Sequence, residues 1–178
     1  MSSRCVILIG MMGAGKSQVG EELSEKLGYD FIDTDRLIVE KVGKKIPRIF
    51  EEEGEEQFRT YESEVIEGLK GSKNLVISVG GGAYVNYANR SILHRLGQVI
   101  YLKASANELY ARIKNDRSRP LLQSENPRAK LDSILKERET VYEQADIVCD
   151  TELLSVPEVV DEIIDRLAER TIETEGDW

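Results

Sequence analysis

Residues 10–17 read Gly-Met-Met-Gly-Ala-Gly-Lys-Ser, a complete G-x-x-x-x-G-K-[ST] pattern. Residue types at this spacing make a cradle for phosphate. Gly10, Gly13 and Gly15 let the backbone turn tightly, so that its N–H groups converge on phosphate oxygens. Lys16 adds a mobile cation for the terminal phosphates, and Ser17 offers a hydroxyl to Mg²⁺. A bound nucleoside triphosphate is therefore expected near the N-terminus. A second candidate group is Asp33-Thr34-Asp35 at the C-terminal end of Tyr29-Asp30-Phe31-Ile32, which reads as a strand. Carboxylates two residues apart in extended chain face the same side, roughly 6–7 Å apart. One can attend to Mg²⁺ through water, and the other can accept a hydrogen bond from a substrate hydroxyl. An Asp before Arg36-Leu37-Ile38-Val39 is also a favoured helix N-cap.

Two further groups could meet a ligand. Arg59 and Glu62 stand three residues apart, sharing one helix face, so the carboxylate can hold the guanidinium. Gly80-Gly81-Gly82 follows the apolar run Leu75-Val76-Ile77-Ser78-Val79 and offers bare N–H groups and close approach to backbone. Arg112, Lys114, Arg117, Arg119, Arg128, Lys130, Lys136 and Arg138 concentrate positive charge in one segment. With a net charge of −9 over 178 residues, that cluster points to a small anionic ligand and against a broad nucleic-acid surface. His94 is the only histidine, which gives His-based catalysis little support, and it reads as a helix-surface residue. Cys5 and Cys149 sit in apolar runs and read as buried thiols of a reducing cytosol.

Alternating strands and helices must position these groups. Strands are expected at 5–9, 29–32, 75–79, 98–102 and 146–149. Helices are expected at 16–27, 34–42, 47–69 with a break near Gly54, 87–96, 105–114, 128–144 and 156–170. The alternation predicts a parallel α/β sheet with helices on both faces and ligands at the C-terminal edge of the strands. Hydrophobic content of 40% and charged content of 32% suit one globular domain over 1–178. No run approaches membrane-spanning length, and the first residues show no signal-peptide pattern. Residues 115–127 lack periodicity and carry Arg117, Arg119, Pro120 and Pro127, which predicts a lid that brings an arginine over phosphates and excludes water.

Together these pieces are recognisable. The chain resembles the shikimate kinase family through Gly-Met-Met-Gly-Ala-Gly-Lys-Ser at 10–17, Asp-Thr-Asp at 33–35, and Ile49-Phe50 through Phe58-Arg59 with Glu62. Gly-Gly-Gly-Ala at 80–83, Arg-Pro-Leu-Leu at 119–122, and Arg138 with Tyr142 complete the set. The resemblance implies a P-loop, nucleoside-monophosphate-kinase-like three-layer fold with a central five-stranded parallel sheet. It further implies substrate-binding helices at about 34–69 and a lid at about 115–127. The implied reaction is ATP-dependent phosphorylation of the 3-hydroxyl of shikimate, on the route to chorismate and the aromatic amino acids, with Mg²⁺. Carried over by motif, Lys16, Asp35 and Arg119 would be catalytic. ATP would meet Gly13, Ala14, Gly15, Lys16, Ser17, Gln18, Arg112 and Arg119, with Arg112 and the region around Pro157 flanking adenine. Shikimate would meet Asp35, Arg59, Arg138 and the glycines 80–82, chiefly Gly81. Ser17 would ligate Mg²⁺, with Asp33 in its outer shell. The resemblance also implies a cytoplasmic monomer with no nucleic-acid or membrane partner. Two positions depart from the pattern: Gln18, where Thr or Ser is usual, and Val79, where Thr is common. A gluconate or nucleoside monophosphate kinase would not carry all these motifs together. A silent binding protein would have lost a key residue, and a signalling GTPase would carry Asn-Lys-x-Asp.

Overall fold

In the computed structural model, residues 4–115 and 124–175 are described. Five strands, β1 (Cys5–Ile9), β2 (Asp30–Asp33), β3 (Leu75–Ser78), β4 (Gly97–Lys103) and β5 (Ile147–Asp150), form one parallel sheet in the order β2-β3-β1-β4-β5. The helices are α1 (Lys16–Leu27), α2 (Thr34–Val42), α3 (Ile46–Glu52), α4 (Gly54–Gly68), α5 (Tyr87–Leu96), α6 (Ala106–Ile113), α7 (Pro127–Tyr142) and α8 (Val156–Glu175). A short 3₁₀ turn spans Ala83–Val85. The expected break near Gly54 separates α3 from α4, with Gly54 in the left-handed region.

The sheet order dictates the layers. From β1 the chain crosses to β2 on one side, and from β3 it crosses to β4 on the other. Right-handed crossovers in opposite directions put α1 and α5 on opposite faces. Accordingly α1 packs on β3, β1 and α8, while α5 packs on β4, β1 and α4. Central strand β1, Cys-Val-Ile-Leu-Ile, is buried throughout, as a strand covered on both faces must be. The main core gathers around Ile7, Leu8, Ile77, Val99 and Ile100. A separate small cluster of Ile38, Ile49, Phe58 and Val65 holds α2, α3 and α4 together beside the sheet.

Helix ends show where sequence chemistry is spent. Asp33, Asn86, Ser105 and Asn126 each cap the helix that follows with a side-chain oxygen. Helix α1 has no side-chain cap; its first residue, Lys16, follows Gly15 in the left-handed conformation at φ 85°. Its first-turn N–H groups therefore point into the space above the sheet edge without a side-chain acceptor.

Candidate active site

The phosphate loop joins β1 to α1 and needs its glycines for space as well as for conformation. A Cβ on Gly10, at φ +143°, would stand 2.7 Å from the Leu102 carbonyl oxygen. One on Gly13, at φ +84°, would stand 2.8 Å from Ile113 Cγ2. Lys16 Nζ lies across its own loop, donating to the carbonyls of Gly10 at 2.9 Å and Met11 at 3.0 Å. Ser17 Oγ donates to Asp33 Oδ2 at 2.7 Å.

Asp33 and Asp35 do not share an extended strand, so the expectation of two carboxylates on one side of a strand is overturned. Strand β2 ends at Asp33 and α2 begins at Thr34. Asp33 does two jobs: one oxygen accepts from the N–H groups of Asp35 and Arg36 at 2.9 and 3.3 Å, and the other faces Ser17. Asp35 lies in the first turn of α2 and reaches the cleft from there.

The glycine run also behaves differently from expectation. The Gly80 N–H is occupied, donating to the buried Thr34 hydroxyl at 3.0 Å. What the glycines supply is room. A Cβ on Gly80 would stand 2.7 Å from Asp35 Oδ1 and 2.8 Å from Glu62 Oε1, and one on Gly82 would run into the Arg59 guanidinium. Helices α2 and α4 thereby bring Asp35, Glu62 and Arg59 directly over the end of β3. Glu62 is only 2% exposed and accepts from Arg59 Nη1 at 2.6 Å, while Glu55 accepts from Nη2 at 2.8 Å. Burial pushes the Glu62 carboxyl up to about 7, against the pull of Arg59. Burial lowers the Arg59 pKa, but Glu62 and Glu55 more than reverse this, so the guanidinium stays charged.

One cleft of about 850 Å³ unites these parts. Gly13, Ala14, Gly15, Lys16, Ser17, Gln18, Asp33, Asp35, Arg59, Gly80, Gly81, Gly82, Arg112 and Arg138 all line it. Arg119 lies outside the described residues. Val39, Ile46, Pro47, Phe50 and Phe58 form an apolar wall at the Arg59 end. At the opposite end, Arg112 donates to the carbonyls of Gly13 at 3.4 Å and Thr151 at 3.2 Å. Thr151, Leu154, Ser155 and Val156 complete that end; sequence reasoning reached only the neighbourhood of Pro157. Of the basic cluster, Arg128 and Lys136 are engaged by Asn107 and Asp132 instead.

Two expectations away from the cleft fare differently. Cys5 and Cys149 are buried free thiols, as expected. His94 is not a plain surface residue: its Nε2 stands 2.8 Å from the Tyr84 hydroxyl and its Nδ1 3.4 Å from Asp146. Its spacing on α5 placed it at the helix end, but only the fold brings Asp146 beside it.

The cleft therefore joins the glycine loop bearing Lys16 and Ser17 to an end lined by two carboxylates, Asp35 and Glu62, and two arginines, Arg59 and Arg138. A family model described as shikimate kinase matches residues 12–168. The chain belongs to the shikimate kinase family. Within this family, the shikimate kinase of Thioalkalivibrio sulfidiphilus is 45% identical over 159 residues, which cover 89% of this chain and 84% of that one. The shikimate kinase of Geobacter sulfurreducens is 46% identical over 160 residues, covering 90% and 88%. A solved structure of shikimate kinase from Acinetobacter baumannii in complex with shikimate matches with a TM-score of 0.92 and 39% identity, covering 95% of each chain. A gluconokinase from Sinorhizobium meliloti shares the fold, with a TM-score of 0.67 and 22% identity over 97% of each chain. Among the described residues, no helix is long and apolar enough to cross a membrane.

Proposed function

We propose that this protein is a shikimate kinase, transferring the terminal phosphoryl group of ATP to the 3-hydroxyl of shikimate. The observation that carries this reading is the single cleft with the phosphate loop at one end and Asp35, Arg59 and Arg138 at the other. Shikimate is a small ring carrying one carboxylate and three hydroxyls. Two guanidinium groups suit the carboxylate through charge-assisted hydrogen bonds, and one aspartate suits a hydroxyl.

The acceptor oxygen attacks the terminal phosphorus as the bond from that phosphorus to the bridging oxygen of ADP breaks. Phosphoryl transfer of this kind demands alignment and charge neutralisation more than covalent help. Arg59 and Arg138 hold the carboxylate, so that the ring presents its hydroxyl to the phosphate loop. Asp35 accepts that hydroxyl's hydrogen bond and takes its proton as the new bond forms. Lys16 leaves its resting carbonyls to meet the terminal phosphates. Arg119, assigned on its motif alone, adds positive charge there. Arg112 and the segment 151–156 flank the adenine.

The residues present fit Mg²⁺. Ser17 and Asp33 supply hard oxygen atoms in mutual contact beside the loop. Among the described residues no group of three or more His, Cys, Asp or Glu converges, which suits an ion held largely by phosphate and water. Ser17 would ligate the ion directly and Asp33 through its water. When bound, it neutralises charge on the two terminal phosphates.

The test is a coupled ADP assay with ATP and Mg²⁺ across shikimate, gluconate and nucleoside monophosphates. ADP is expected only with shikimate. Turnover of gluconate in place of shikimate would sink the assignment.

A further inference from the structure

Arg138 and Tyr142 stand one turn apart on α7 and share a face of that helix. Arg138 lines the cleft, whereas Tyr142 is fully buried behind it, its ring packed on Tyr101 at a centroid distance of 5.1 Å. The Tyr142 hydroxyl donates a hydrogen bond to the carbonyl of Gly81. A phenol has a single proton to give but can also accept. With its proton committed to Gly81, this hydroxyl pins the face of α7 on which Arg138 stands one turn earlier. Burial raises the Tyr142 pKa and the positive charge of Arg138 opposes the rise. Gly81 in turn backs onto the phosphate loop: a Cβ there would stand 3.4 Å from the Gly10 carbonyl oxygen, and 3.7 Å from both the Met12 nitrogen and the Tyr142 hydroxyl. One buried hydroxyl thus ties the helix that carries Arg138 to the glycine run, at the point where that run meets the phosphate loop.

We propose that Tyr142 is a positioning residue for the acceptor: its hydroxyl fixes the Gly81 carbonyl and so anchors the turn of α7 that carries Arg138 into the cleft. The inference rests on the reading of shikimate as acceptor given above. A purely structural Tyr142 would work through its ring, which Tyr142→Phe keeps. Steady-state kinetics and thermal denaturation of Tyr142→Phe separate the two roles.

The KM for shikimate is expected to rise by up to about tenfold, the order expected for losing one buried hydrogen bond. The KM for ATP and kcat should stay within about twofold, with Tm little changed. In an Arg138→Ala background the same substitution should add less than about twofold, because Tyr142 acts through Arg138. An unchanged KM for shikimate, an equal rise in both KM values, or full additivity with Arg138→Ala overturns the proposal. Failure of Tyr142→Phe to fold overturns it too, since the hydroxyl would then be a fold contact. Absence of shikimate turnover by the unaltered protein is a different result: it defeats the proposed function and takes this inference with it.

Discussion

Arg59 and Arg138 reach the same cleft from different helices and are held by different means. Arg59 is clamped by Glu62 and Glu55 on its own helix, with its guanidinium 5.4 Å from the Phe58 ring centre. Arg138 stands on α7 one turn before Tyr142, whose hydroxyl is bonded to the Gly81 carbonyl. Arg138→Ala should raise the KM for shikimate by about 10- to 100-fold, the range for a lost charge-assisted hydrogen bond, and leave ATP affinity nearly unchanged. A fall in ATP affinity alone, measured by titration, would contradict that role. Under the proposed reaction Lys16→Ala should lower kcat by about 100-fold or more, the loss expected when a cation set against developing charge is removed; single-turnover phosphoryl transfer reads this directly. Most of these residues were legible in the sequence because their signals are local. The phosphate loop is eight contiguous residues, and Arg59 with Glu62 is one helical turn. Glu62 was harder: its spacing is that of any surface ion pair. Its burial follows from α4 lying over the glycine run, a long-range fact that no local pattern carries.

At the scale of elements, the glycine run and the start of α2 fit each other. Thr34 caps the Gly80 N–H, and the missing Cβ of Gly80 makes space for Asp35 and Glu62. Gly80→Ala should therefore push both carboxylates aside and raise the KM for shikimate, with little change for ATP. Gly43→Ala is the useful contrast. Gly43 ends α2 at φ +70° with open space around it, so this substitution should cost about 1 kcal/mol of stability and spare the kinetics. Denaturant melts alongside assays of both variants check the pair; equal kinetic damage from the two would mean that crowding at Gly80 is not the cause. The helices and strands were readable to within a few residues from apolar spacing and glycine stops. The boundary at Asp33 was not, because an aspartate after a strand reads equally well as its last residue or as the next helix's cap, and here it is both.

For the molecule as a whole, the buried Glu62 sets a pH dependence. Its carboxyl is raised from 4.5 to about 7 in the folded state. Folding thus favours the protonated form; that stabilisation is complete below pH 4.5 and is lost as pH rises through 7. Glu62→Gln, which cannot ionise, should gain stability relative to the unaltered protein across this window, by up to about 3 kcal/mol. Urea unfolding at a series of pH values measures the difference, and a flat difference would refute it. The parallel sheet was legible from alternation alone, but the strand order was not, because it depends on which edges the crossovers choose.

That order bears on how the chain is made. Strand β1 is synthesised first, yet it lies in the centre, and both its neighbours, β3 and β4, begin far later, at Leu75 and Gly97. At roughly 5–20 residues per second, a ribosome leaves β1 without either neighbour for several seconds after it emerges. During that interval five apolar residues present two unpaired edges, an invitation to the wrong partner. The same placement that later buries the root of the phosphate loop at the heart of the sheet makes β1 the most vulnerable strand while the chain is being made.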